Sequence, residues 1–143
     1  MEQKILDFLN KERVCSLTTL LLDGSPHAAA MHFSHLGQPL EIYFSTENTS
    51  RKCQGLLSGQ EVKASVVLGF TEEEFKTMQL EGVIKIVSDK ADLEKIKPDY
   101  YLKNPHSKKY ENEPETVFLK FTPTWWRYSD YKTSPMTIIS SLD

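Results

Sequence analysis

The stretch Phe44-Ser45-Thr46-Glu47-Asn48-Thr49-Ser50-Arg51-Lys52 reads as a strand ending in hydroxyls, a short polar turn, and a helix start with two adjacent cations. Such an arrangement suits a phosphate ester. Ser50 has the residue type of a good N-cap, and the free N–H groups of a first helical turn attract an anion. Arg51 would add a planar fork of donors and Lys52 a compact point charge. The same residues would also serve an ordinary capped surface helix with two solvated cations.

The 143-residue length fits one domain, residues 1–143, with room for a sizeable core. Hydrophobic content of 39% and charged content of 26% describe an ordinary globular protein. A net charge of −3 argues against a dedicated nucleic-acid binder. No apolar run approaches the roughly 18 residues needed to cross a bilayer. The opening Met1-Glu2-Gln3-Lys4 lacks the layout of a secretion signal, so a cytoplasmic location is expected. Cys15 and Cys53 are the only cysteines and form no close-spaced ligand pair, as expected of reduced core thiols.

Working outward from the opening stretch, residues 2–12 have Ile5, Leu6, Phe8 and Leu9 at helical spacing. Arg13 to Leu22 favours a strand, Asp23-Gly24-Ser25-Pro26 a turn, and the residues through Ser34 a second strand. A turn at Leu36-Gly37-Gln38-Pro39 leads to a third strand, in which Leu40, Ile42 and Phe44 alternate with Glu41 and Tyr43. Arg51 to Leu57 is expected to be a short helix. Residues 62–68 and 76–87 have the period of strands, and Gly82 inside the latter suggests a bulge or a close backbone approach. Residues 89–102 read as a helix, 104–114 as a surface loop, 117–121 as a sixth strand and 124–131 as a seventh. Six or seven short antiparallel strands with two or three helices predict a mainly β fold, a small Greek-key barrel.

The histidines do not predict a metal centre. His27 and His32 lie five apart on one strand, so their side chains project from opposite faces, while His106 falls in a distant polar loop. No Gly-x-Ser-x-Gly elbow and no glycine-rich dinucleotide fingerprint occurs, so an enzyme here would borrow its reactivity from a cofactor.

Asp23-Gly24-Ser25-Pro26-His27 in a hairpin, Phe44-Ser45-Thr46 followed by Ser50-Arg51-Lys52, and Gln79-Leu80-Glu81-Gly82 in a long strand occur in that order. In this order and spacing the chain resembles the pyridoxamine 5′-phosphate oxidase-like split-barrel flavoproteins over about residues 5–88, with a weaker echo to Tyr131. The resemblance implies a six-stranded split β-barrel forming a homodimer, with FMN at the subunit interface. It implies that Ser45 and Thr46 touch the phosphate or ribityl chain and that Ser50, Arg51 and Lys52 form the phosphate turn. Gln79 would reach the isoalloxazine edge. The second strand, with Ala29, Ala30 and Met31, would run its backbone along the ring, where small side chains allow close approach.

Trp125 and Trp126 should face opposite ways, and Trp126 with Arg127 is the pair expected at the cofactor. In the true oxidases this end carries Arg-Leu-His-Asp-Arg. Arg127 and Asp130 match it, but Ser129 replaces the histidine and Tyr131 the last arginine. Asn104 likewise stands where a substrate-phosphate arginine is expected, in a segment, residues 100–107, that faintly echoes the family's. Losing those cations argues against vitamin B6 oxidation. The expectation is a flavin-dependent oxidoreductase acting on another small molecule, with a nicotinamide as possible reductant. A non-catalytic flavin module, and the deazaflavin F420 or haem on the same fold, stand as alternatives.

Overall fold

The computed structural model describes residues 1–142. Eight antiparallel strands and two α-helices follow the order α1 (Gln3–Lys11), β1 (Val14–Leu20), β2 (Pro26–His32), β3 (Ser34–Gly37), β4 (Leu40–Glu47), β5 (Val62–Leu68), β6 (Lys76–Val87), α2 (Lys90–Lys103), β7 (Thr116–Asp130) and β8 (Thr137–Ser140). The strands lie side by side as β2-β1-β5-β6-β7-β4-β3, with β8 added to the far half of β7. The sheet curls until β2 comes alongside β4, leaving a seam where the two are not paired as strands. This is a split barrel.

Period-two alternation decides which face is inside. Leu17, Val66, Leu80, Ile42, Phe44, Leu119 and Phe121 point inward and are buried, closed at one end by Ile5, Phe8 and Leu9 of α1. A second, smaller core lies outside the barrel, where α2 packs Ile96, Tyr100 and Tyr101 over Tyr43, Val87 and Phe118. The ring of Tyr100 meets that of Phe118 edge-on at 5.1 Å, a favourable quadrupole arrangement. The hairpin turn expected at residues 23–26 is present. Gly24 takes a φ of 83° there, and Asp23 accepts from the Ser25 amide at 2.9 Å.

Three differences from the sequence-based expectation matter for the site. The second strand does not run unbroken through Ser34. It breaks at the fully buried Phe33, so that β2 pairs with β1 while β3 turns to pair with β4. The expected sixth and seventh strands are one continuous strand, β7, which pairs with β4 in its first half and with β6 along most of its length. The helix expected over 51–57 is only a 3₁₀ turn at Arg51–Cys53 followed by further turns. Gly55 lies so close to β1 that any Cβ would sit 2.9 Å from the Leu20 carbonyl oxygen.

Gly82 confirms the close approach expected of it. The β6–β7 register shifts between Glu81 and Gly82, and a Cβ on Gly82 would fall 2.2 Å from the Thr122 carbonyl oxygen and 2.9 Å from the Pro123 Cα. Both obstacles are backbone and cannot rotate away. Gly82→Ala is therefore expected to destabilise the protein by about 1–3 kcal/mol, measured as a lower midpoint in urea at unchanged slope.

Candidate functional site

A cleft of about 360 Å³ opens beside the seam, between the end of β4 and a 3₁₀ turn at Pro105–Tyr110. Its walls carry Ser45, Thr46, Ser50, Ser107, Tyr110 and Thr116, together with Lys52 and the carboxylate of Glu47. Lys52 Nζ donates to Thr46 Oγ1 at 3.0 Å, which aims the ammonium along the hydroxyl-bearing end of β4. The Lys52 backbone is fixed from behind, where the buried Thr19 hydroxyl donates to its carbonyl at 3.0 Å. Neither of the two ion pairs among the described residues involves Lys52.

These contacts distribute the expected anion-binding residues unevenly. Ser45, Thr46, Ser50 and Lys52 are brought together, as expected. Arg51 is exposed and does not line the cleft. Its charge instead reaches Asp23, whose carboxyl is held below the usual range chiefly by hydrogen bonds from Ser25, with a smaller contribution from Arg51. Ser50 does not cap a helix. Its side chain makes no cap hydrogen bond and lies 3.5 Å from Cys53 Sγ. A three-residue 3₁₀ turn has no aligned stack of peptide dipoles, so side chains, rather than a helix terminus, must supply the positive potential.

Cys53 is fully buried beneath this turn, its thiol 3.6 Å from the Glu47 carbonyl, and Cys15 lies in the core with its thiol pushed up to about 12 by burial. Both are free and buried, as expected of reduced core thiols. Tyr100 ties the second core to the cleft: its hydroxyl accepts from the Ser45 amide at 3.1 Å. Burial holds that phenol above its ordinary range.

The other expected residues sort by strand register. Gln79 is exposed and pairs with Val67 on β5 and Arg127 on β7, and the row continues through Ser16 to Ala30. Gln79, Arg127 and Ala30 thus share the outer face of the sheet. That face also carries small side chains such as Ala28, Thr18 and Ser65, together with the charged Glu81, opposite Ser65, and Lys63. Ala29 and Met31 occupy the opposite face, opposite Leu17 and Cys15 of the core. Trp126 is a correction: it packs inward against the core, and its neighbour Trp125 is the outward ring, paired with Glu81. Strict alternation from Leu119 and Phe121 would put Trp126 outside. The extra residue at the register shift, Thr124, exchanges the two faces.

A second correction concerns His106. The Pro105–Tyr110 turn folds back over the barrel, and the His106 ring lies 4.4 Å from that of His32, centroid to centroid. Among the described residues, still no group of three or more metal-ligating side chains converges. Ser107, Tyr110 and Thr116 are cleft residues that the sequence did not single out as such. Ser107 ends the segment that echoes the family's substrate-phosphate region, and that echo was the one available signal.

The three positions that depart from the oxidase pattern have structural employment. Asn104 is fully buried and its Nδ2 donates to the Phe33 carbonyl at 3.1 Å. Ser129 is 2% exposed, and Tyr131 packs its ring against Phe75 at a tilt of 44°, centroids 4.9 Å apart.

The strand order, the seam and the flanking cleft define the split-barrel class. Within it, the family model described as Pyridoxamine 5′-phosphate oxidase matches residues 1–130, and the chain belongs to that family. No curated protein matches the sequence. Among solved structures, the chain is similar to the conserved hypothetical protein Rv2991 from Mycobacterium tuberculosis, at 23% identity and a TM-score of 0.74, over 100% of this chain and 92% of that one. A Clostridium acetobutylicum protein related to general stress protein 26, of the pyridoxinephosphate oxidase family, shares 20% identity at a TM-score of 0.69, over 96% and 91%. A heme binding protein from Mycobacterium smegmatis shares 15% at 0.71, over 91% of this chain and 52% of that one. Identities this low establish the fold alone. No helix of the described residues is long and apolar enough to cross a membrane.

Because the Asn104 amide is the donor holding the Phe33 carbonyl in a dry corner, Asn104→Ala is expected to cost about 1–3 kcal/mol of stability. Chemical denaturation measures it.

Proposed function

We propose that this protein binds FMN, its phosphate in the cleft beside the seam, and acts as a flavin-dependent oxidoreductase on a small molecule. One observation carries the reading: an ammonium without a carboxylate partner, Lys52, faces a wall of hydroxyls from β4, Ser50 and the 105–110 turn. That donor set fits a phosphate monoester, which has close to two negative charges and accepts several hydrogen bonds. Glu47 at the rim is the opposing charge, so the phosphate would seat toward Thr46 and Ser50.

Each side chain then has a defined task. Lys52 holds the phosphate, and Thr46 keeps the ammonium aimed. Ser45 and Ser50 offer hydroxyls to the phosphate or ribityl chain, while Tyr100 fixes the Ser45 backbone from behind. Gln79 and Arg127 present amide and guanidinium donors on the outer face, suited to the polar edge of a flat heteroaromatic ring, and Ala30 leaves room for close approach. A bound flavin would supply hydride and one-electron chemistry that no side chain here provides.

The same outer face supports a homodimer. It spans β2, β1, β5, β6 and β7 with charges of both signs, Lys63, Glu81 and Arg127, and α2 packs elsewhere, over Tyr43, Val87 and Phe118. Two copies meeting there would exclude water from the ring and place Trp125 against it. The reductant would be a nicotinamide, and a cytoplasmic setting suits such a reaction. Vitamin B6 oxidation is not assigned, because Asn104, Ser129 and Tyr131 are committed to packing and hydrogen bonding.

Absorbance of the protein as purified tests the cofactor. A flavin band near ~450 nm is expected, whereas a band near ~420 nm would identify a deazaflavin and a Soret band haem, which the Mycobacterium smegmatis neighbour binds. Consumption of NADH or NADPH by the loaded protein distinguishes an oxidoreductase from a passive flavin carrier. Lys52→Ala is expected to weaken FMN binding by about 10- to 100-fold, the loss of a charge-assisted hydrogen bond, and Arg51→Ala by less than about threefold. Calorimetric titration measures both, and a Lys52→Ala variant with wild-type affinity removes the anchor.

A further inference from the structure

We infer that the contact between the His32 and His106 rings is a latch that holds the Pro105–Tyr110 turn against the barrel, and that acid opens it. The inference rests on the phosphate cleft proposed above, since the turn supplies Ser107 and Tyr110 to that cleft. On its other side the turn packs against α2, where Ser107 faces Tyr100 and Lys108 Nζ lies 5.7 Å from the Tyr101 ring centroid. None of its residues is buried. Its far end is fixed where the Thr116 hydroxyl donates to the Tyr110 carbonyl at 2.7 Å, and its near end where the Ser107 amide donates to the Asn104 carbonyl at 3.0 Å. Between these ends, the His32–His106 contact at 4.4 Å joins the turn to β2.

Two neutral imidazoles tolerate that distance, but two imidazolium ions repel. The surroundings add no compensating acid. Arg13 at the start of β1 acts on His32, Lys103 lies at the end of α2, and Lys108 and Lys109 belong to the turn itself. Glu12 and Glu111, the nearby carboxylates, act on Lys103 and Tyr101 respectively. Burial first, then His106, then Arg13 hold His32 below the ordinary imidazole range. A base whose folded-state pKa is depressed contributes its full stability above the ordinary value, about 6.5, and loses it as the pH falls below that value. The latch is therefore closed at neutral pH and opens in mild acid.

Amide hydrogen exchange of the turn in the full chain, corrected for intrinsic rates, tests this directly. Between about pH 8 and about pH 5.5, protection over residues 107–111 should fall several-fold, by more than about threefold, in the wild type. In His32→Phe, which keeps an aromatic ring but removes the imidazole that burial and His106 hold neutral, protection should change by less than about twofold over the same interval. His106→Phe, which removes only the second charge, should show a smaller fall than the wild type should the first variant fail to fold. A wild type with no such fall, or a variant that falls equally, overturns the latch.

FMN affinity measured on the same samples should drop with acid in the wild type and less in the variant. The titration of the phosphate itself is common to both and cancels. A protein that binds no FMN at any pH sinks the cofactor reading, while the exchange data still decide the latch.

Discussion

Phe33 stands where the chain leaves one half of the barrel for the other, and its carbonyl must find a donor away from water. The strand that pairs with β1 ends at His32, and the strand that pairs with β4 begins at Ser34. Asn104 answers the need with its side-chain amide, and Lys103, next to it, donates to the Leu9 carbonyl at 2.8 Å with its ammonium 3.8 Å from the Phe33 ring centroid. Two consecutive residues at the end of α2 therefore secure both the break in the sheet and the last turn of α1. Burial depresses Lys103 to about 8, the cost of placing a cation there, yet both of its contacts favour the charged form. Without this clamp the seam between β2 and β4 would have no defined width, and the cleft beside it no defined shape.

The chemistry of the cleft follows from how it is built. No helix terminus contributes, so the positive potential of the cleft comes from one ammonium set among hydroxyls. Lys52 is suited to that task because it is held at both ends, its carbonyl by Thr19 and its ammonium by Thr46. A long, flexible side chain normally loses much entropy on binding, and prior restraint reduces the loss. Tyr100 extends the restraint, since its ring belongs to the outer core and its hydroxyl to the cleft backbone.

Much of this was legible in the sequence, and the rest was hidden for identifiable reasons. Alternation in Leu40–Phe44, Val62–Leu68 and Met78–Ile86 gave the strands and their inner faces, because period two is imposed by the backbone. Gly82 announced the close approach that it makes. The convergence of Ser45, Thr46, Ser50 and Lys52 was visible because those residues are local in sequence. What could not be read was whatever depends on distant pairing. The break at Phe33 needs Asn104, 71 residues away, to be tolerable. The extra residue at Thr124 exchanges Trp125 and Trp126 through its relation to β6, which the local sequence does not show. The short strand β8 pairs only with β7, and the proximity of His106 to His32 arises from a turn with no periodicity of its own.

β7 is the one strand that touches every part of the architecture: β6 along most of one edge, and β4 and then β8 along the other. Both cores draw on it as well, Leu119 and Phe121 facing one and Phe118 the other. Its partners β4 and β6 are far apart in the chain and do not pair with each other. During synthesis, then, the β1–β2 and β3–β4 hairpins can form as they emerge, but the two half-sheets stay unconnected until β7 arrives to bridge them.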